Sequence, residues 1–592
     1  MRNKTKLPHI HHSSFRIHHF SLAALLSFAW LVPAGATQQP PSPSQDAGRS
    51  LYRIHLRLDF DARSYAGTQT LRWVNRDGRP ASVLYFHLYP NLRAGGEARE
   101  AGPPAADEPS LEVTGVSVAG GPLQAALEDA GVGLRVQLRE AVPPGGSAEL
   151  TLAFKGTVPE IDADETSLPA HVIQQVGAAL RDTREVRRAR DTNFFARGVM
   201  LLGSFHPVLA ARDGGDWRRR VEPSVGDTVF ADAADYEVEV VAPRELGVYT
   251  SGEETFAIQM GAHRRAFRAR GLRSFALVAG RSLRAAEREA GGVRVRSVYT
   301  AEHEKTGLRV LNVAAEAARV FAARFGPAPF AAFSVAEVPL VAGLGSTEFS
   351  GLAVTASAFY VDFDSPAMRN LPELVREQRA SVEESLEFAV AQGVAHQWWG
   401  AAVGNDPERE PVLDEALAHW SALLYVRDAH GEERALAAEE EQLRGVYQIY
   451  RTFGGEDMPA ERPAREYRNS FQYAAVVTSK GALMFVALRR LLGDERFFRA
   501  LRAYYEANRF EVAQLEDLRA AFVAEAELQQ RRVVTRLFNR WLSERRGDED
   551  IAPPNPQLAA ALGVNPAQPE PRDRNAFSRL GRFFWRQMTR IR

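Results

Sequence analysis

The run AQGVAHQWWG at residues 391–400 decides how this chain is interpreted. Gln392 and His396 stand four residues apart, so in a helix both side chains point at a common spot. A zinc-binding helix of the H-E-x-x-H type uses this spacing for two imidazole ligands, with a glutamate general base directly after the first. Here Gln392 stands at the first ligand position and Gly393 at the base position, and only His396 keeps its expected side chain. The run therefore predicts a helix that faces a site whose chemistry has changed.

A second helix follows a loop and offers a further carboxylate. It reads PVLDEALAHWSALLYV, and Glu415 lies nineteen positions after His396. His419 lies one turn after Glu415, which leaves two interpretations open. It completes a rearranged zinc set with His396 and Glu415, or it is a structural histidine that packs beside Trp420 or hydrogen-bonds Gln392. We favour the structural role, because a lone histidine on a helix is more often structural than a metal ligand.

The whole-chain composition is that of a globular protein with more than one domain. The chain has 592 residues, of which 45% are hydrophobic and 25% charged, and this length exceeds one ordinary core. The formal net charge of −1 gives no basic field for nucleic acid. The absence of cysteine excludes disulfides, thiolate metal sites and a catalytic thiol.

The amino terminus has the pattern of an export signal. A basic start precedes the apolar run SLAALLSFAWLV (21–32), and AGA (34–36) is a small-x-small cleavage site. We therefore predict a signal peptide at 1–36 and a protein that is exported, periplasmic or extracytoplasmic. An uncleaved anchor is the alternative, although the run is short for a membrane span. A Pro/Ser/Gln linker is predicted at 37–49.

The order of strand-like and helix-like patterns in the remaining chain predicts an α+β protein. Short alternating strands separated by Gly, Pro and Asp turns predict a β-rich N-terminal domain over residues 50–285. Helical periodicity dominates a second domain, residues 286–546, and a Pro-rich linker follows at 547–573. Trp398 and Trp399 are predicted to be core aromatics, and the charged loop residues 406–410 are predicted to be solvated.

The last residues, RNAFSRLGRFFWRQMTRIR (574–592), contain six Arg and no acidic residue. In a helix, apolar side chains such as Phe577 and Phe584 fall on one side and arginines such as Arg579 and Arg586 on the other. A basic amphipathic helix of this kind is typical of an anchor at a membrane surface. We predict contact with a membrane surface or a partner. A helix docked on the protein itself, or a disordered tail, is the alternative.

Several motifs in order resemble the membrane alanyl aminopeptidase family of zinc metallopeptidases, of the gluzincin type. AHQWWG and VLDEALAHW resemble the H-E-x-x-H-Q-W-W and W-L-D-E-G elements of that family. GLGSTEFSGLAV (343–354) looks like the exopeptidase motif G-x-M-E-N, and VVTSKGALMF resembles the V-x-Y-E-K-G segment. The resemblance covers about residues 50–545. It implies a saddle-shaped N-terminal domain followed by a thermolysin-like, mostly helical catalytic-type domain.

The resemblance also assigns positions in the site. It implies that His396 and Glu415 are two of three zinc ligands, that Gln392 replaces the third, and that Glu348 binds the amino terminus of a substrate. Gly393 occupies the position of the general base, and Thr478 that of the tyrosine that stabilises the transition state. Zinc binding is therefore predicted to be weak or absent.

Three functions remain open at this stage. The first is a pseudopeptidase that binds peptides or a protein partner through the family cleft. The second is an active zinc aminopeptidase with a rearranged site, and the third is a scaffold subunit that does not use the cleft. The loss of a general base, worth ~10²–10⁴-fold, and of an oxyanion donor, worth ~10²–10³-fold, favours the first.

Overall fold

The structure is a computed structural model, and it describes residues 48–93, 106–180, 184–260, 262–365 and 379–562. The predicted signal peptide (1–36), all but the last two residues of the first linker, and the basic segment 574–592 lie outside the described residues. The described residues from Gly48 onward belong to one compact unit.

Strands dominate the first half of the described chain. They are β1 (Leu51–Asp59), β2 (Ser64–Val74), β3 (Ala81–His87), β4 (Ser110–Val118), β5 (Gly121–Pro122), β6 (Ala125–Glu128), β7 (Gly133–Val142), β8 (Ser147–Thr157), β9 (Asn193–Ala196), β10 (Val199–Leu202), β11 (Val208–Leu209), β12 (Arg212–Asp213), β13 (Asp216–Trp217), β14 (Ala234–Ala242), β15 (Gly247–Thr250), β16 (Glu253–Met260), β17 (Ala262–Leu272) and β18 (Leu277–Gly280). One helix, α1 (Leu168–Leu180), interrupts them.

The alternation seen in the sequence explains how these strands are layered. In β1, the residues Tyr52, Ile54, Leu56 and Leu58 are buried, whereas the residues between them are exposed. Period-two alternation gives a strand one core face and one solvent face. The largest sheet has the order β16-β17-β14-β1-β2-β8-β4-β5, and two four-stranded sheets have the orders β15-β18-β10-β9 and β11-β3-β7-β6. β1 pairs with β14 in parallel and with β2 in antiparallel register.

A smaller sheet and a set of helices form the second half. The strands are β19 (Leu283–Ala290), β20 (Val293–Thr300), β21 (Ala332–Val338), β22 (Ser346–Phe349) and β23 (Leu352–Ala356), in the order β19-β20-β21-β23-β22. The helices are α2 (Glu304–Phe325), α3 (Arg379–Ala395), α4 (Val412–His430), α5 (Glu432–Ala438), α6 (Gly445–Thr452), α7 (Ser470–Tyr473), α8 (Gly481–Asn508), α9 (Leu515–Glu525), α10 (Arg531–Phe538), α11 (Gly547–Asp550) and α12 (Pro556–Leu562). Wide π-type turns join several of them, including residues 474–480 between α7 and α8.

The α+β class predicted from the sequence is confirmed, with the β-rich part first and the helical part after it. The predicted domain boundaries stay predictions, and the one at 285/286 falls within β19. The helical run Ser470–Asn508 is long and apolar enough to cross a membrane, but 83% of its most apolar window is buried inside the protein. That burial is typical of a core helix.

The core of the helical part lies directly behind the site. Trp398 and Trp399 are buried, as predicted, and they pack against Phe321 and Phe325 of α2. Trp399 donates its indole N–H to the hydroxyl of Ser421 in α4, at 3.1 Å. These contacts fix the end of α3 against α4, and thereby hold the two site helices at a set distance.

The loop at 406–410 differs from its prediction. Asp406 and Glu408 are each only 13% exposed and form ion pairs with Arg218 of the β-rich part. The Asp406 carboxylate also accepts backbone N–H groups of Glu408 and Arg409. The expected solvated charge run is therefore wrong for these two acids, because a distant arginine pairs with them.

Candidate active-site cleft

His396 occupies the point where α3 ends. The chain turns at Gly400, whose φ of 93° suits a residue without a β-carbon. The His396 side chain is 7% exposed, and its Nε2 lies 4.0 Å from Glu415 Oε2 on α4. The helices predicted from the run at 391–400 and from the following segment therefore bring His396 and Glu415 together.

Gln392 lies on the same face as His396, as the four-residue spacing predicts. Its amide nitrogen is 3.5 Å from His396 Nε2, at the long limit for a hydrogen bond. The amide thus faces the imidazole of His396, the residue that the resemblance assigns to zinc. Its contact there is a weak hydrogen bond between two protein side chains.

The backbone of Gly393 runs close to strand β23. A β-carbon added at Gly393 would lie 2.9 Å from the β-carbon of Ala353 and 4.0 Å from Glu348 Oε1. Carbon atoms in contact prefer ~3.5–4.0 Å. The space that a side chain at the base position would need is therefore partly filled by Ala353.

Carboxylates surround His396. Burial raises the pKa of Glu415 to about 8, and the nearby Asp414 carboxylate adds to the effect. Burial also raises the pKa of Asp414 to about 6, although Asn405 donates a 2.9 Å hydrogen bond to it. Burial alone would lower the pKa of His396, but Glu348, Glu415 and Asp414 outweigh it and raise this pKa. The raised pKa values of these carboxyl groups therefore reflect their burial and their crowding around one imidazole.

Glu348 comes to the cleft from β22. Its Oε1 is sealed from solvent and has no hydrogen-bond partner among the described residues. Burial raises the pKa of Glu348, and the charge of His396 opposes the rise. A buried carboxylate oxygen without a donor is costly, so a ligand that donates to it would be stabilised.

The two hydroxyl groups near the position of the family tyrosine have different roles. Thr478 donates its hydroxyl to the Ala474 carbonyl, at 2.6 Å, within its own helical segment. Tyr473 reaches the site and donates its phenol O–H to Glu415 Oε1, at 3.2 Å. The 3.6-residue period does not place Tyr473 relative to Thr478, because the π-type turn at 474–480 departs from that period.

His419 does not join the other candidate ligands. Its Nδ1 is 3.0 Å from the Glu415 carbonyl oxygen, to which it donates as the N–H tautomer, and its ring packs near Phe388. Burial lowers the pKa of His419 to about 4, so the ring is neutral. His419 is therefore a histidine that bonds to the backbone of its own helix and packs near Phe388.

The donor set does not fit a zinc ion held by three protein side chains. Across the described ranges, no group of three or more His, Asp or Glu side chains is arranged to hold a metal ion. His396 and Glu415 supply two donors, whereas a catalytic zinc site uses three protein ligands and one open position. The third position is Gln392, a neutral amide that contacts His396.

The cleft has a cavity volume of about 110 Å³, and its lining includes Glu348, His396 and Asp414. Two further lining residues, Arg187 and Asp227, form an ion pair. They come from loops of the β-rich part. Neither was identified from the sequence, because no motif or period marks them.

Comparisons with known proteins agree with this geometry. Residues 371–541 match the model of the peptidase family M1 domain. Aminopeptidase RNPEPL1 of Homo sapiens is 29% identical over 181 residues, 28% of this chain and 24% of that protein. Aminopeptidase N of Lactococcus lactis is 26% identical over 133 residues, 22% of this chain and 16% of that protein. The chain thus matches at most a quarter of the length of these relatives.

Solved structures share the fold. The M1 zinc metallopeptidase from Deinococcus radiodurans has 18% sequence identity and a TM-score of 0.53, and the match covers 84% of this chain and 93% of that one. A mutant of the same protein gives a TM-score of 0.55, with 84% of this chain and 94% of that one covered.

Proposed function

Because the chain belongs to peptidase family M1, we propose that it is an exported pseudopeptidase that holds the amino terminus of a peptide without hydrolysing it. The observation that carries the proposal is the position of Ala353. Its β-carbon fills the space beside Gly393 in which a general base would stand. Export is supported by the signal pattern at 1–36.

The binding half of the proposal depends on charge. Asp227, Glu348 and Asp414 line the cleft, and Glu415 lies 4.0 Å from His396. Because the pKa of Glu415 is about 8, its carboxyl group is mostly protonated at neutral pH, so the three lining carboxylates face the guanidinium of Arg187 and the imidazole of His396. An ammonium group would offset the excess negative charge and give Glu348 Oε1 the donor it lacks. A peptide amino terminus supplies that group at neutral pH.

The second part of the proposal, that the peptide is not hydrolysed, depends on the groups that would activate water. Gly393 offers no base, Gln392 offers a neutral amide, and the Thr478 hydroxyl is engaged with its own helix. Loss of the base alone costs ~10²–10⁴-fold in rate, and weakened metal binding adds to that loss. Turnover at the rate of an intact metallopeptidase is therefore not expected.

A residual peptidase is the second candidate, and Tyr473 favours it. Its phenol donates to Glu415, so a hydroxyl lies beside this candidate ligand although Thr478 replaces the family tyrosine. In that case zinc on His396 and Glu415 would bind weakly, and an acid such as Glu348 or Asp414 would have to serve as the base.

Two measurements separate the candidates. Wild-type protein is assayed with aminoacyl reporters in the presence of added zinc, beside His396→Ala. Turnover that His396→Ala abolishes, with the circular dichroism spectrum unchanged, would refute the pseudopeptidase. Binding of short peptides is measured by calorimetry, beside Glu348→Gln and the exposed control Glu112→Gln. The proposal expects no turnover, peptide binding that Glu348→Gln weakens, and no effect of Glu112→Gln.

A further inference from the structure

A second cavity lies away from the cleft, on the border between the β-rich part and the helical part. Its volume is about 140 Å³, and the beginning of β1, the end of β2, the hairpin of β12 and β13 and the segment before β14 form its walls. Five charged side chains and two indoles line it. None of these seven residues lines the cleft or belongs to a motif of the family resemblance.

A series of short contacts holds the polar wall of this cavity together. The buried Arg273 guanidinium donates to the Ala231 carbonyl at 3.0 Å and to the Glu511 carbonyl at 2.6 Å. The Glu511 carboxylate in turn accepts from Arg76 Nη2 at 2.8 Å. Asp232 follows Ala231 directly. These bonds therefore hold Asp232 near Arg76, and the charge of Arg76 acts on the Asp232 carboxylate.

Arg212 fixes the aromatic wall of the cavity. Its guanidinium pairs with Asp77, the residue after Arg76, and its Cζ lies 4.4 Å from the centroid of the Trp217 ring. A cation over the face of an indole is attracted to it. The centroid of the Trp73 ring is 5.9 Å from that of Trp217. The two indoles are therefore connected, through Arg212 and Asp77, to the wall that carries Arg76.

Asp232 is an acceptor that the protein leaves unused. Its side chain lines the cavity and is accessible to solvent. Across the described residues, it has neither a hydrogen bond nor an ion pair. Desolvation by the surrounding protein raises the pKa of Asp232, and the charges of Arg273 and Arg76 oppose the rise. A ligand that donates to this carboxylate would therefore gain a charge-assisted hydrogen bond.

The arrangement of charges around the cavity favours a neutral ligand. Each arginine of the lining already has a carboxylate partner: Arg212 pairs with Asp77, Arg76 with Glu511, and Arg49 with Asp235. A free anion would have to compete with these carboxylates. A free cation beside Asp232 would be repelled by Arg76 and Arg273. A neutral ligand that both donates and accepts hydrogen bonds meets neither of these costs.

We propose that this cavity binds a neutral sugar ring. A hydroxyl group both donates and accepts hydrogen bonds, so the ring donates to Asp232 and accepts from Arg76, whose guanidinium has donors besides the Nη2 that bonds Glu511. The C–H face of the ring is apolar, and Trp73 and Trp217 offer apolar surface beside these charged groups. A cavity of about 140 Å³ admits one ring rather than an extended chain. This inference is independent of the proposed function, because the cleft shares none of these side chains.

Ligand-observed NMR titration with sugars of matched shape and different charge tests the inference. The ligands are neutral D-glucose and N-acetyl-D-glucosamine, anionic D-glucuronate and cationic D-glucosamine, at about pH 6, where the amine is protonated and the carboxylate ionised. At least one neutral sugar should bind about tenfold tighter than its charged relative, because like charges placed together are costly. Tightest binding of D-glucosamine or of D-glucuronate overturns the inference, and so does the absence of binding by any of the four up to about 20 mM. The dimer N,N′-diacetylchitobiose tells the source of the ring: binding at least as tight as that of the monomer indicates a glycan, and weaker binding a free sugar.

Variants locate the binding at this cavity. Asp232→Ala should weaken the neutral sugar about tenfold or more, because it removes a hydrogen bond to a charged group. The matched control is Asp216→Ala, which changes an exposed acid of β13 outside the lining and should keep the affinity. Trp217→Ala should also weaken the sugar, and Trp217→Phe less so, since it keeps an apolar ring. Glu348→Gln, in the cleft, should leave sugar binding unchanged. Equal affinity of wild type and Asp232→Ala overturns the inference, and if Asp232→Ala does not fold, unchanged affinity in Trp217→Phe and in Asp232→Asn does so.

Discussion

The close approach of Gly393 to Ala353 closes the position at which a general base would stand, and a stability measurement can test this. Gly393→Ala adds one β-carbon, and that carbon would lie 2.9 Å from the Ala353 β-carbon. Contact begins at ~3.5 Å, so α3 and β23 must separate by about 0.6 Å. Both atoms belong to short side chains on regular elements, so a change of rotamer cannot relieve the contact. The backbone has to move.

Two effects of opposite sign set the size of the change. Overpacking a well-packed core costs ~1–3 kcal/mol. Replacing a helical glycine by alanine gains ~1 kcal/mol. We therefore expect Gly393→Ala to lower the free energy of unfolding by about 0–2 kcal/mol. In an Ala353→Gly background the contact is absent, and Gly393→Ala should then raise it by about 1 kcal/mol. The predicted coupling between the two sites is thus ~1–3 kcal/mol.

The assay is equilibrium urea unfolding of four proteins: wild type, each single variant and the double variant. Far-UV circular dichroism gives the unfolding free energies. Gly115→Ala is the control, because an added β-carbon there meets nothing within 4 Å in the described structure. It should be additive with Ala353→Gly. If Gly393→Ala and Ala353→Gly are also additive to within about 0.5 kcal/mol, the argument that Ala353 closes the base position is refuted.

Three further outcomes are expected. Burial lowers the pKa of His206 to about 4. Below about pH 6.5 the imidazole is protonated in the unfolded chain but stays neutral in the folded one. The free energy of unfolding should therefore fall by up to about 3 kcal/mol as the pH decreases from 6.5 to 4. Acid titration of unfolding should show a shallower loss in His206→Asn, which keeps a donor for Gln69 Oε1, and an unchanged slope would contradict this. Purified protein dialysed against a mild chelator should retain less than one zinc per chain by elemental analysis, and His419→Ala should not change that content; stoichiometric zinc, or its loss in His419→Ala, would count against the geometry. Deleting 574–592 should abolish sedimentation with anionic vesicles without shifting the melting temperature, and equal sedimentation would contradict a membrane role.

The helical half was predictable because its signals are local. Gly326 ends α2 with a φ of 123°, and a glycine directly after an apolar helical pattern is a local signal that the sequence shows. Gln392 and His396 lie together because the helical period fixes which side chains share a face, and Glu415 approaches His396 from α4. Local rules therefore account for the ligand helices and for the buried Trp398 and Trp399.

The parts of the cleft that were missed depend on long-range contacts. Arg187 is more than two hundred positions from His396 in the chain. No pattern in the neighbouring sequence indicates its ion pair with Asp227. Glu408 looks like a loop acid in the sequence, but Arg218 and Arg465 pair with it. Tyr473 reaches Glu415 through a π-type turn, whose register a 3.6-residue period cannot give. Tertiary pairing, rather than local preference, decided these positions.

The substitutions at the site relative to the family pattern depend on one another. A single reversion is therefore not expected to restore activity. A glutamate at 393 would meet Ala353, and its carboxylate would enter a region where Asp414 and Glu348 already raise the pKa of Glu415. Zinc would relieve that repulsion, but with Gln392 in place the donor set does not fit zinc. Reversion of Gly393 alone therefore adds a clash and an unpaired charge. Activity is expected only when Gln392→His, Gly393→Glu and Thr478→Tyr are combined with Ala353→Gly, because the first three restore the side chains of the family pattern and the fourth opens the space beside residue 393.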